Sequence, residues 1–134
     1  MGQTVLIVDD DPLVHQLYQH HLERAGFRLL GANNGIEALE VTAREKPEVI
    51  VMDIMMAGMD GLSALRELKG DSDTKSIPVV IITANGNAHH TARKEAIAIG
   101  ASSFLPKPFS PAQLLAEINR LLPAAAPNPV PAKV

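Results

Sequence analysis

Polar side chains that can do chemistry follow four short apolar runs of the sequence. Three of these runs are uninterrupted, at residues 5–8, 49–52 and 79–82, and the fourth is the strand candidate at residues 103–105. A further, weaker apolar run covers residues 27–30. Among the side chains that stand within three residues of the end of a run are Asp9, Asp10, Asp11, Asp53, Thr83 and Lys107. Carboxylates, a hydroxyl and an amine together are the groups that can hold a cation and a phosphoryl group.

Carboxylates that lie close together need a compensating charge or proton. Two like charges about 4 Å apart repel by roughly 4 kcal/mol at an effective dielectric constant of about 20. Such a cluster therefore has a raised pKa or binds a cation. Hard carboxylate oxygens favour Mg²⁺, which keeps several waters and often binds phosphate as well. Lys107 and Thr83 could then donate to phosphoryl oxygens, and Asp53 could act as a nucleophile that forms an aspartyl-phosphate.

Each of these residues also has an ordinary structural interpretation. Asp11 stands directly before Pro12 and is predicted to cap a helix. Taken alone, Thr83 would be a strand hydroxyl and Lys107 a surface lysine. The functional hypothesis therefore depends on the combination, in which suitable residue types follow four different apolar runs.

Apolar runs and helical patterns alternate along the chain. The continuous runs are typical of strands that are buried on both faces of a parallel sheet. The predicted helices lie at residues 13–25, 36–45, 62–68, 88–99 and 111–122, and Ser110, Pro111 and Gln113 form a capping box for the last one. This alternation predicts an α/β fold, a doubly wound parallel sheet with helices on both faces. The polar residues would meet at the carboxyl ends of its strands.

Length and composition exclude several classes of protein. The chain has 134 residues, no cysteine and a formal net charge of −3. One ordinary domain is expected, without a disulfide, a thiolate metal site or a cysteine nucleophile. The chain lacks the basic field of nonspecific nucleic-acid binding, and no apolar run approaches the roughly 20 residues of a membrane span. We see no signal peptide either, and expect a cytoplasmic domain.

The C-terminal stretch has a different composition. Four of the ten prolines fall within residues 123–134, among alanines. We therefore expect a folded domain over residues 1–122, followed by a linker or disordered tail over residues 123–134.

The ordered set of motifs resembles the receiver domain of two-component response regulators, over about residues 3–122. The stretches that carry the resemblance are Val5–Asp11, Val51–Asp53, Met59–Gly61, Ile82–Ala84 and Lys107–Phe109. The resemblance implies a flavodoxin-like sheet of five parallel strands in the order 2-1-3-4-5.

The resemblance also implies roles for the residues of the site. Asp53 would be the phosphoacceptor and a ligand of Mg²⁺ or Mn²⁺. Asp10 and the backbone carbonyl of Met55 would be the other protein ligands. Asp9 would act through water or by contacting a ligand without binding the metal itself. Lys107 would pair with the phosphoryl group.

A second set of matched residues would couple phosphorylation to a change of conformation. Thr83 would swing toward the phosphoryl group, helped by the backbone N–H of Ala84. Phe104, at the switch-aromatic position, would then move inward. Met55 and Asn85 stand at positions that tune the lifetime of the phosphoryl group.

The function implied is that of a signalling switch without a separate substrate. A histidine kinase or phosphotransfer protein would donate the phosphoryl group, and the receiver would promote its own phosphorylation and dephosphorylation. The face formed by the fourth helix, fifth strand and fifth helix would then control an unidentified partner or output domain. A phosphorylation-dependent homodimer is left open. The alternatives are a haloacid-dehalogenase-type phosphatase, a flavin-binding module and a receiver that works without phosphorylation.

Overall fold

The protein is described by a computed structural model that covers residues 3–54, 61–83, 88–106 and 109–122, with the backbone alone at residues 83 and 88–93. Several predictions fall outside the described residues. They concern Met55, Ala84, Asn85, Lys107, the side chain of Thr83 and the tail at residues 123–134.

Strands and helices alternate five times, as predicted. The elements are β1 Thr4–Val8, α1 Pro12–Arg24, β2 Arg28–Ala32, α2 Gly35–Glu45, β3 Val49–Asp53, α3 Gly61–Gly70, β4 Val79–Thr83, α4 Ala88–Ile99, β5 Ser103–Pro106 and α5 Pro111–Leu121. The five strands form one sheet in the order β2-β1-β3-β4-β5, and every neighbouring pair is parallel. The predicted fold class and strand order are confirmed.

The sheet has a hydrophobic core on each face. Successive residues of β1 point to opposite sides, so that Leu6 and Val8 belong to one core and Val5 and Ile7 to the other. The first core is closed by buried residues of α2, α3 and α4, and the second by buried residues of α1 and α5. Helices therefore cover both faces, as a doubly wound sheet requires.

The edge strand β2 was predicted from a weaker apolar run than those of β1, β3 and β4. The apolar run at residues 27–30 predicted its position, and the strand itself spans Arg28–Ala32. Arg28 and Gly31 are exposed, because β2 has a neighbour on one side only. Main-chain pairing with β1, from Thr4 with Arg28 to Val8 with Ala32, fixes the bounds of this strand.

Helix α1 begins at the acidic segment that follows β1. The Asp11 side chain accepts a hydrogen bond from the backbone N–H of Leu13 at 2.9 Å, so the predicted cap is confirmed. Leu13 and Leu17 of this helix remain 69% and 50% exposed, and its apolar stripe is therefore wider than the face it buries. Within the described ranges, no helix is both long enough and apolar enough to cross a membrane.

Candidate functional site

Asp9 and Asp53 lie side by side at the carboxyl edge of the sheet. Strands β1 and β3 are parallel neighbours, and their register pairs Val8 with Met52. The two aspartates are the residues that directly follow this pair, and they are only 5% and 7% exposed. Aspartate is seldom so deeply buried without a compensating partner. The register therefore places two nearly buried carboxyl groups on adjacent strands.

The three consecutive aspartates after β1 have three different environments. Asp9 is buried, whereas Asp10 and Asp11 are exposed. Asp11 caps α1, and its own backbone N–H donates to Asp9 Oδ1 at 2.9 Å. Asp10 is thus held between a buried residue and a helix cap, and is itself exposed.

Backbone hydrogen bonds fix Asp9 to the neighbouring elements. Its N–H donates to the carbonyl oxygen of Ala32 in β2 at 3.1 Å. Its carbonyl oxygen lies 2.7 Å from Nε2 of His15 in α1. The sequence did not identify His15 as part of the site, because the contact depends on how α1 packs beside β1.

Tyr18 of α1 is buried within electrostatic reach of the two buried aspartates. Burial first, and then the negative charges of Asp9 and Asp53, raise the pKa of Tyr18 to about 12. Its ring stacks on Phe109, with ring centroids 5.8 Å apart and an angle of 22° between the ring planes. The charges of both aspartates therefore raise the pKa of the same phenol. In the sequence Tyr18 is one residue of the helix predicted over residues 13–25, and no local pattern distinguishes it.

The backbone at the ends of β4 and β5 lies along the same edge. Asp53 pairs with Ile82, and Thr83 pairs with Pro106. The predicted phosphoryl-binding residues Thr83 and Lys107 therefore belong to, or directly follow, strands that end near Asp53. Phe104 of β5 is half-buried and packs against the core that α2, α3 and α4 close.

The carboxyl groups at this edge of the sheet suit a magnesium ion. Among the residues that the structure describes, no three histidine, cysteine, aspartate or glutamate side chains are grouped to hold a metal. Mg²⁺ commonly uses one or two carboxylates and keeps its remaining sites for water and phosphate oxygens. The adjacent carboxyl groups of Asp9 and Asp53, with Asp10 nearby in the chain, fit that pattern.

Comparisons with known proteins find relatives along nearly the whole chain. A family model described as the response regulator receiver domain matches residues 5–119. The response regulator MprA of Mycobacterium leprae is 37% identical over 124 residues, which cover 92% of this chain and 53% of that protein. The phosphate regulon transcriptional regulatory protein PhoB of Pseudomonas aeruginosa is 34% identical over 128 residues, which cover 96% of this chain and 55% of that protein. The chain thus spans about half the length of these relatives.

Solved structures show the same fold. Vibrio cholerae chemotaxis protein CheY4 matches with a TM-score of 0.84 and 31% identity, over 91% of this chain and all of that one. The receiver domain of sensor histidine kinase PA1611 from Pseudomonas aeruginosa matches with a TM-score of 0.78 and 30% identity, over 90% of this chain and 98% of that one. That second structure contains a magnesium ion coordinated in its active-site cleft.

Proposed function

Since the chain belongs to the response regulator receiver family of two-component signalling, we propose that it accepts a phosphoryl group on Asp53 in a Mg²⁺-dependent reaction. One observation carries this proposal. Asp9 and Asp53 are nearly buried on adjacent strands, at the carboxyl edge of a doubly wound sheet. Ligands of such sheets bind at this edge. Family membership sets aside the alternatives of a haloacid-dehalogenase-type phosphatase and a flavin-binding module.

The proposed metal ligands are Asp10, Asp53 and the backbone carbonyl of Met55, with Asp9 beside them or acting through water. When bound, Mg²⁺ (or Mn²⁺) would offset the clustered negative charge and so make a phosphoryl group tolerable there. Asp9 is held at its N–H, its carbonyl and its carboxylate, so it can keep its place in the free protein. The exposed side chain of Asp10 remains accessible from solvent.

Asp53 is the proposed nucleophile. An oxygen of its ionised carboxylate attacks phosphorus and forms a new O–P bond. The bond from phosphorus to the donor breaks, and its electron pair leaves with the donor, a phosphohistidine nitrogen or an acetate oxygen. Lys107, the Thr83 hydroxyl and the Ala84 backbone N–H are proposed to donate to the phosphoryl oxygens, which gain negative charge during transfer.

The proposed output face consists of α4, β5 and α5. A hydrogen bond of 2.6 Å from Ser103 Oγ to Glu117 Oε1 links β5 to α5. On α4, Ile97 leaves 55% of its surface exposed and is available for an apolar contact. Movement of Thr83 toward the phosphoryl group, with Phe104 moving inward, would shift the populations of two arrangements of this face. Met55 and Asn85 are proposed to set the phosphoryl lifetime.

The proposed partners follow from family membership. A sensor histidine kinase or phosphotransfer protein would supply the phosphoryl group in the cytoplasm. An unidentified partner or output domain would bind the switched face, and a homodimer formed on phosphorylation is one form that this binding could take. Apart from its own phosphotransfer and autodephosphorylation, the chain is proposed to have no enzymatic activity.

Intact mass measurement tests the proposed function. The full chain is incubated with acetyl phosphate and Mg²⁺, alongside the Asp53→Ala variant and Asp73→Ala, which removes an exposed aspartate far along the chain from the site. We expect a phosphoryl adduct on wild type and on Asp73→Ala, none on Asp53→Ala, and none on wild type when the metal is chelated. Equal adducts on all three proteins would contradict the proposal.

A further inference from the structure

Hydrogen bonds at the N–H, the carboxylate and the carbonyl oxygen of Asp9 tie it to β2 and to helix α1 with its cap. The N–H donates to Ala32 of β2 at 3.1 Å. Oδ1 accepts from the N–H of Asp11 at 2.9 Å. The carbonyl oxygen is bound by His15 at 2.7 Å. Ala32 and Asp11 make their contacts through backbone atoms, whereas His15 makes its contact through its side chain.

The direction of the His15 contact is fixed by chemistry. A carbonyl oxygen can only accept, so Nε2 of His15 carries the hydrogen and donates it. The oxygen belongs to the peptide group that joins Asp9 to Asp10. Because a peptide group is planar, holding its oxygen also orients the N–H of Asp10 and fixes the place of its Cα atom, from which the side chain extends.

The position of the His15 ring is itself constrained by edge strand β2. A Cβ atom built on Gly31 would lie 3.2 Å from His15 Nδ1, closer than ordinary van der Waals contact. The missing side chain at Gly31 thus leaves room for the ring between α1 and β2. His15 is half-buried, whereas His20 and His21 on the same helix are exposed. The ring is therefore confined by packing as well as by its hydrogen bond.

We propose that His15 is a positioning residue for the acidic loop, defined as residues 9–11, and that its hydrogen bond to Asp9 raises the affinity of the site for Mg²⁺. This inference rests on the proposed function, because it concerns the metal that the acidic loop would hold. His15 acts through the Asp9–Asp10 peptide group, from the side of edge strand β2. Its contribution should therefore appear in metal binding rather than in the transfer step at saturating metal.

The test is calorimetric titration with Mg²⁺ of the full chain and three variants. His15→Leu removes the donor and keeps an apolar side chain, His15→Gln keeps an N–H donor, and His20→Leu is the matched control on the exposed side of α1. Neighbours that orient metal ligands typically contribute about tenfold to a hundredfold in metal affinity. We expect His15→Leu to weaken binding by about tenfold, and His15→Gln and His20→Leu to stay near wild type.

Phosphorylation by acetyl phosphate at saturating Mg²⁺ completes the test. The rate of adduct formation on His15→Leu should then recover to the wild-type rate. Wild-type Mg²⁺ affinity in His15→Leu would overturn the inference, as would an equal loss of affinity in His15→Gln. A wild-type chain that never takes a phosphoryl group would instead contradict the proposed function, so the two failures are distinguishable.

A spectroscopic measurement on the wild-type chain tests the His15 hydrogen bond without relying on a variant that must fold. Long-range proton–nitrogen correlation spectra report which ring nitrogen of a neutral histidine carries the hydrogen. We expect the Nε2–H tautomer for His15. The Nδ1–H tautomer would overturn the inference, because Nε2 could not then donate to the Asp9 carbonyl.

Discussion

Gly61 lies directly against the backbone of Asp53. A Cβ atom built on Gly61 would lie 2.8 Å from the Asp53 carbonyl oxygen and 2.5 Å from the Cα atom of Ile54. The N–H of Gly61 donates to the Ile54 carbonyl oxygen at 3.3 Å. Because the opposing atoms belong to the backbone, they cannot move aside without moving the end of β3. The first residue of α3 thus approaches the proposed phosphoacceptor as closely as a glycine permits.

Gly61→Ala is therefore expected to destabilise the protein. The added methyl group must push α3 away from β3, and overpacking of this kind typically lowers the unfolding free energy by about 1–3 kcal/mol. Gly70→Ala at the other end of the helix is the matched control, because a Cβ there meets nothing within 4 Å. That variant should be neutral or up to about 1 kcal/mol more stable. Urea unfolding of both variants measures the difference, and equal stabilities would refute the close contact.

Two buried threonines should respond in opposite ways to the same substitution. Thr42 Oγ1 is buried in α2 and has no hydrogen-bond partner among the described residues, whereas Thr74 Oγ1 donates to the Leu68 carbonyl at 2.7 Å. Thr42→Val should raise the unfolding free energy by about 1 kcal/mol, because it removes an unpaired polar atom. Thr74→Val should lower it by about 1–2 kcal/mol, because it leaves a buried carbonyl unpaired. Destabilisation by Thr42→Val comparable to that by Thr74→Val would contradict this account.

Tyr18 allows the charge near the site to be measured directly. It is the one tyrosine of a chain without tryptophan, so tyrosinate absorbance reports this residue alone. Its pKa of about 12 in the folded protein compares with an ordinary value of 10.0. Because the folded protein favours the protonated phenol, Tyr18 makes a contribution to the unfolding free energy that depends on pH. That contribution is complete below pH 10 and is lost as the pH rises toward 12.

Asp53→Asn should lower the pKa of Tyr18, because it removes one of the two charges that raise it. Burial and Asp9 would still hold the pKa above its ordinary value. Absorbance titration of folded wild type and Asp53→Asn makes the comparison, with circular dichroism at each pH to verify folding. Identical pKa values would show that the Asp53 charge does not reach Tyr18.

The sequence contained enough information for the fold but not for the contacts that hold the site. The apolar runs of β1, β3 and β4 and the caps at Asp11 and Ser110 are local patterns, and the structure confirms them. The contact of His15 with Asp9 depends on the packing of α1 beside β1, so no local pattern reveals it. The burial of Tyr18 beside two carboxyl groups is a tertiary feature of the same kind.

Met55→Asn is expected to shorten the lifetime of the phosphoryl group. At the position two residues after Asp53, an apolar side chain could obstruct a water that attacks the acyl phosphate, and an amide could orient it. The measurement is the decay of the phosphorylated fraction by intact mass after the phosphodonor is removed. A decay that is unchanged or slower in Met55→Asn would contradict the tuning role.

Chemical localisation of the phosphoryl group tests the central claim most directly. Borohydride reduces an aspartyl-phosphate to homoserine, which marks the modified residue with a permanent change of mass. After treatment with acetyl phosphate and Mg²⁺, peptide mapping of the reduced chain should place homoserine at position 53 and at no other aspartate. Homoserine at Asp9, Asp10 or Asp11 with an unmodified Asp53, or none at any aspartate, would contradict the assignment of Asp53 as phosphoacceptor.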